Sequence, residues 1–200
     1  MFKDKKVIIF DMDGTLIDSV GMWNKTDETL IKKFTNKSMD EFFAENDIQA
    51  KDIGQMRDSI LAKCKSGDIY LEYCKWLKEK FKTDTKAEEI LKLRWDIANK
   101  YIINEVDYKE DADVLLEKLK EKGYILALAT TTTKDRLDIY KKKLKKADIS
   151  ELFTVMLSKE DVQHKKPSPE IYNKIMEKLD VTPEECLVVE DARSEERRVG

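Results

Sequence analysis

Turn-forming residues are scarce in this chain of 200: six glycines and three prolines, under half the roughly 12% that these two residues usually supply. So little backbone punctuation excludes a collagen-like, linker-rich or turn-dense all-β chain and favours long helices. Cysteine is just as sparse. Cys64, Cys74 and Cys186 are odd in number and form no CxxC pair, which argues against a disulfide framework and a zinc site. Buried, reduced thiols of a cytoplasmic protein are expected. His164 is the single histidine, too little for Ser–His or multi-histidine metal chemistry, and it is read as a surface residue. Catalysis, if present, rests on carboxylates. No apolar run approaches the 18 or more residues of a membrane span. The N-terminal MFKDKKVIIFDMDG has too short an apolar stretch for a signal peptide.

Charge, by contrast, is abundant. Lys and Arg number 38 and Asp and Glu 41, for a net charge of −3. The phosphate backbone of a nucleic acid calls for a basic face, so that class of partner is not expected. Hydrophobic residues make up 41%, enough for a core, so the charge does not imply disorder. The length suits one ordinary domain or a small domain carrying a sizeable insertion.

Four short apolar runs predict strands: Val7 to Phe10, Tyr124 to Ala129, Thr154 to Leu157 and Leu187 to Val189. They are continuous rather than alternating, as parallel strands buried on both faces should be. Helical patterns precede and separate the last three. Asp111 to Lys122 puts Val114, Leu115 and Leu119 on one stripe, with Gly123 as the stop. Lys134 to Lys146 forms a second, very basic helix. Ser168 as N-cap and Pro169 as first helical residue open a third, running to Leu179. Thr182, Pro183 and Glu185 carry a capping-box pattern. The order β-α-β-α-β-α-β predicts a doubly wound, Rossmann-like parallel sheet of the α/β class.

The first strand breaks this rhythm, because more than a hundred residues separate Phe10 from Tyr124. Most of them read as amphipathic helices. Trp23, Leu30, Ile31 and Phe34 share one face; Ile69, Tyr73, Trp76 and Leu77 a second; Ile90, Leu91, Trp95, Ala98 and Tyr101 a third. Thr85 and Glu88 form a capping box ahead of the last. The expected organisation is a core of 1–19 and 107–192 with an inserted α-helical cap at 20–106.

Ligands of an open parallel sheet bind beyond the C-terminal strand ends. The residues leaving the four strands are Asp11-Met12-Asp13-Gly14-Thr15, the four threonines 130–133, Lys165-Lys166-Pro167 after a short loop, and Glu190-Asp191. Grouped carboxylates suit a hard divalent cation such as Mg²⁺. A lysine and a hydroxyl at the same spot suit a phosphoryl group. An Asp could then attack phosphorus while Asp13 handles protons, and Gly14 admits close backbone approach. A calcium loop is excluded, because an EF-hand needs Gly at position six and Glu at twelve.

These four segments resemble the motifs of the haloacid dehalogenase-like hydrolase superfamily. DMDGTLIDS looks like its first motif, ALATTTT its second, KKPSPEIY its third and VVED its fourth. The likeness runs from Val7 to Asp191, in the family's order, and is nearest to the beta-phosphoglucomutase and phosphoglycolate-phosphatase-like branch with a helical cap. It implies Asp11 as nucleophile and Mg²⁺ ligand, and Asp13 as general acid/base that lends its backbone carbonyl to the metal. Gly14, Thr130, Thr131 and Lys166 would bind the phosphoryl group, with Lys165 the alternative lysine. Glu190 and Asp191 would hold the Mg²⁺. Dehalogenating members lack the second Asp, so phosphate-ester chemistry is implied. The expectation is a cytoplasmic, monomeric, Mg²⁺-dependent phosphatase of a small phosphorylated metabolite. A sugar phosphomutase is the alternative within the class. A signalling receiver is disfavoured, because it lacks an insertion after strand one.

After Asp191 the likeness stops. Arg57, Arg94 and Arg136 are the arginines of the first 192 residues, whereas the last eight hold Arg193, Arg197 and Arg198 and no lysine. A non-native tail at 193–200, a core incomplete at its C-terminal end and a catalytically impaired fragment are the expectations that follow. Arg57, Lys51 and Arg94 are the candidate substrate contacts of the cap.

Overall fold

The computed structural model describes residues 2, 4–63, 68–143 and 149–191, without the side chains of 20, 141–143, 149 and 150. Cys64 and the tail from 193 therefore lie outside the described residues, as does the end of the basic helix expected to reach Lys146.

Four strands, β1 (Val7–Phe10), β2 (Ile125–Ala129), β3 (Val155–Leu157) and β4 (Cys186–Val189), form one sheet in the order β3-β2-β1-β4. Every pairing is parallel. Val7 aligns with Ile125 on one side and with Cys186 on the other, so β1 is flanked on both edges. All four β1 side chains are buried, which is why its sequence is an unbroken apolar run rather than an alternating one. Alternation sends Val7 and Ile9 to one face. There they join Ala127, Ala129 and Leu157 beneath Ile171, Tyr172 and Ile175 of α9 (Glu170–Leu179). On the sheet's other side Phe10 meets Phe153 edge to face, centroids 6.4 Å apart.

The remaining helices of this unit are α6 (Ala112–Glu121), α7 (Lys134–Lys143) and the short α8 (Ile149–Leu152). The buried stripe of α6 is Ala112, Leu116 and Leu119. Val114 and Leu115, expected on it, are 38% and 43% exposed. Leu119 belongs to both candidate stripes, and only packing against the sheet decides which one is covered. Helix α9 starts at Glu170, one residue later than expected, and Pro169 takes the cap position. Ser168 still accepts a hydrogen bond from the Glu170 amide at 3.3 Å. The capping box of Thr182 and Glu185 is formed.

The chain divides into two compact units, Met1–Ser19 with Val106–Gly200, and Val20–Glu105. Where the chain leaves the sheet unit and returns, the two strands of backbone are pinned together. Ile17 bridges Tyr108 in antiparallel fashion, and the Lys109 amide donates to the Leu16 carbonyl at 2.9 Å.

The inserted unit is helical: α1 (Val20–Thr35), α2 (Met39–Glu45), α3 (Ile53–Leu61), α4 (Ile69–Phe81) and α5 (Ala87–Asn104). Leu30, Ile31, Phe42, Met56, Tyr73, Leu77, Phe81 and Ile90 make its core, with Phe34 stacked on Phe81 at 4.8 Å. Ser38 caps α2 in a capping box with Glu41, and Asp52 and Asp68 cap α3 and α4. Two expectations fail here. Ile69 is exposed rather than core, because it opens α4 directly after its cap. The Thr85–Glu88 box does not form: Lys86 takes the cap position of α5 without a side-chain bond, and Thr85 turns to Thr83.

Within this unit Arg94 is 1% exposed and grips Asp27, with Nε to Oδ1 at 2.6 Å and Nη2 to Oδ2 at 3.2 Å. Arg57 shares that carboxylate, Nη1 to Oδ2 at 3.2 Å. The Arg94 guanidinium also lies over Trp23 and Tyr73. Arg94 is thus a structural ion-pair partner of the core, and not the open substrate contact that its charge suggested.

Candidate active site

The end of β1 dictates the first half of the site. Pairing continues one residue past the strand, as the Asp11 amide donates to the Val189 carbonyl at 3.0 Å. The chain then curls: the Leu16 and Ile17 amides both donate to the Met12 carbonyl, and the Gly14 amide donates to Ile17. Gly14 takes φ +83°, and a Cβ there would lie 2.2 Å from Asp191 Oδ2. Only glycine satisfies both the left-handed backbone and that contact. Its carbonyl accepts a hydrogen bond from Lys109, a partner the sequence reading did not single out.

Strand β4 brings Glu190 and Asp191 beside Asp11, since Phe10 and Val189 are register partners. One oxygen from each of these three carboxylates falls within a group spanning 4.8 Å. The loop before α9 adds Lys166, whose Nζ lies 2.8 Å from Asp11 Oδ1 and also donates to Glu190. Lys165 is exposed. Tyr172 completes this side, its hydroxyl donating to Glu190 Oε1 at 2.5 Å while its ring lies 5.3 Å from Lys166 Nζ. Burial pushes the Asp11 carboxyl up to about 7; Lys166 opposes the rise, and Glu190 and then Asp13 add to it.

The carboxylate of Asp13 points elsewhere. Thr132 Oγ1 donates to its Oδ2, and the Tyr140 hydroxyl donates to Oδ1 at 3.3 Å. So the two aspartates of the first motif, two residues apart, serve different neighbourhoods. The three-carboxylate group contains Asp11 and not the Asp13 side chain.

Among the threonines, Thr130 is fully buried and accepts the Thr132 amide at 3.1 Å, while Thr131 is exposed. Thr132, absent from the expected site, is buried and touches Asp13. No strand pattern marks Thr132: β2 ends at Ala129, and Thr131 and Thr132 lie in the bend that follows. Tyr140 carried a weak signal, an aromatic amid the charges of a basic helix.

A family model described as haloacid dehalogenase-like hydrolase matches residues 5–194. The chain belongs to that family. Among curated proteins it is 26% identical to pyrophosphatase PpaX of Bacillus mycoides over 188 residues, 92% of this chain and 74% of that protein. Among solved structures it resembles a Thermotoga maritima protein assigned as a beta-phosphoglucomutase, with TM-score 0.76 and 24% identity over 97% of this chain and 80% of the other. CbbY from Rhodobacter sphaeroides, solved with phosphate, matches at TM-score 0.65 and 22% identity over 98% of this chain and 81% of that one. The Rossmann-like α/β reading of the fold and the family resemblance are both borne out.

A haloacid dehalogenase-like hydrolase implies a divalent metal, and the donor set fits one. Three clustered carboxylates supply hard oxygen ligands of the kind Mg²⁺ takes. Gly14 leaves room for Asp191, and a lysine already lies among the acids as a compensating cation. Among the described residues no helix is long and apolar enough to cross a membrane.

Proposed function

We propose that this hydrolase is a Mg²⁺-dependent phosphatase of small phosphorylated metabolites, working through an aspartyl-phosphate on Asp11. The observation that carries this reading is the division of labour between the two aspartates: Asp11 with Lys166, Glu190 and Asp191, and Asp13 apart on Thr132 and Tyr140.

Asp11, Glu190 and Asp191 would hold the metal, together with the Asp13 carbonyl. When bound, Mg²⁺ neutralises phosphoryl charge and so lets an anionic nucleophile approach. An Asp11 carboxylate oxygen forms the new bond to phosphorus as the ester P–O bond breaks. The electron pair leaves with the alkoxide oxygen, which takes its proton from Asp13. Asp13, now a carboxylate, removes a proton from water, whose oxygen attacks phosphorus and frees Asp11 and inorganic phosphate. Lys166 and the threonine hydroxyls at the β2 exit, Thr130 and Thr131, offset and orient the phosphoryl oxygens. Gly14 admits the phosphate to the backbone.

The test is hydrolysis of p-nitrophenyl phosphate, expected to stop with EDTA and with Asp11→Asn. Turnover that survives Asp11→Asn sinks the assignment. The substrate screen should include pyrophosphate, after the curated relatives, and a hexose 1-phosphate, after the fold neighbour. With the latter, phosphorus NMR separates phosphate release from the isomer formation of a phosphomutase. The setting we infer is a monomer in the cytoplasm.

A further inference from the structure

We infer that Tyr140 and Thr132 are positioning residues that fix the Asp13 carboxylate for proton transfer; the inference rests on the phosphatase reading above. Each oxygen of Asp13 has its own donor. Thr132 Oγ1 serves Oδ2 and the Tyr140 hydroxyl serves Oδ1, across 119 and 127 positions of chain.

Both donors are themselves constrained. Thr132 is held from two directions, its amide on Thr130 Oγ1 and its carbonyl accepting the Lys159 amide at 3.2 Å. Tyr140 is 1% exposed on α7, so its ring cannot swing out without opening the core. A buried phenol wants a partner for its O–H, and Asp13 supplies it. Two fixed donors on a fork of two acceptors leave the carboxylate one orientation, turned from the group formed by Asp11, Glu190 and Asp191. Each carboxyl oxygen has two lone pairs. Accepting one hydrogen bond leaves the second lone pair to carry the proton given to the alkoxide and later taken from water. Without the clamp, Asp13 is free to turn toward the cation site, where it would act as a further ligand and no longer as acid and base.

Tyr140→Phe and Thr132→Val each delete one donor with little change in volume. The measurement is kcat/KM, which reports the first transfer, for phenyl phosphate and for 4-nitrophenyl phosphate. Phenolate needs a proton as it leaves and 4-nitrophenolate needs little help. The expected result is a loss of about tenfold or more with phenyl phosphate, a clearly smaller loss with 4-nitrophenyl phosphate, and recovery of most of the lost rate in Thr132→Ser. A merely structural role predicts equal losses with both substrates. Equal losses, or none, overturn the inference. Should Tyr140→Phe lower the melting temperature too far, the Thr132→Val and Thr132→Ser pair decides alone. A wild type inactive toward both esters, or active after Asp11→Asn, sinks the phosphatase reading and this one with it. A wild type that is active and Asp11-dependent but indifferent to both deletions sinks this one only.

Discussion

Lys166 Nζ stands 2.8 Å from Asp11 Oδ1, although 155 positions of chain separate the two residues. The ammonium also reaches Glu190, and all three side chains are nearly excluded from solvent. Removing the lysine leaves two buried carboxylates facing each other without a cation. Lys166→Met is expected to destabilise the metal-free protein by about 3–5 kcal/mol and to cut phosphatase turnover at least about a hundredfold. Mg²⁺ should return much of the lost stability, because it supplies the missing charge. Melting curves in EDTA and in Mg²⁺ check both halves.

Gly14→Ala should cripple the cation site without replacing a ligand. The new methyl would stand 2.2 Å from Asp191 Oδ2, on a backbone at φ +83° that alanine resists. Asp191 must move. Calorimetric titration with Mg²⁺ is expected to show at least about tenfold weaker binding, as metal-site distortions commonly do.

Asp27 is the hinge of stability in the helical unit. It is fully buried, with Arg94 on both oxygens and Arg57 on one. Arg94→Met leaves Asp27 with Arg57 alone and should cost about 3 kcal/mol, the lower end for breaking a buried pair. Arg94→Lys is expected to rescue little, since a lysine offers neither the two-pronged grip nor the flat stacking surface on Trp23. Urea denaturation of the three proteins measures this.

Glu170 should make stability fall in acid. Its carboxylate accepts the Gln163 and His164 amides at 2.9 and 2.8 Å. These bonds, with Lys174 and His164 adding, lower its pKa from 4.5 to about 2. A depressed folded-state value means that the stabilisation is present above the unfolded value and lost as pH drops from 4.5 toward 2. Glu170→Gln should flatten that part of the urea-midpoint profile. An unchanged acid limb would rule out the loop-holding role.

The four strands and the residues at their exits were legible because each rests on a local cue: an unbroken apolar run, then acids, hydroxyls or a lysine. What stayed hidden depended on contacts between distant segments. Nothing local distinguishes a stripe through Leu115 from one through Leu116; the sheet beneath α6 does. Arg94 and Arg57 look alike in sequence, yet one is sealed against Asp27 and the other reaches partway to solvent. Tyr140 needed the fold to bring it to Asp13. Thr132 is one of four identical neighbours and lies in a bend past β2, where strand alternation no longer sorts side chains.

The clasp at Leu16–Ile17 and Tyr108–Lys109 joins the departing and returning chain within one hydrogen-bonded bridge. Closing the inserted loop is therefore paid locally, at its neck, whatever the loop contains. A segment tied off in this way can be lengthened, shortened or exchanged while the sheet and its exits keep their register. The clasp thus acts as a splice point. The strand exits on one side keep their spacing while the helical segment on the other changes in length or sequence.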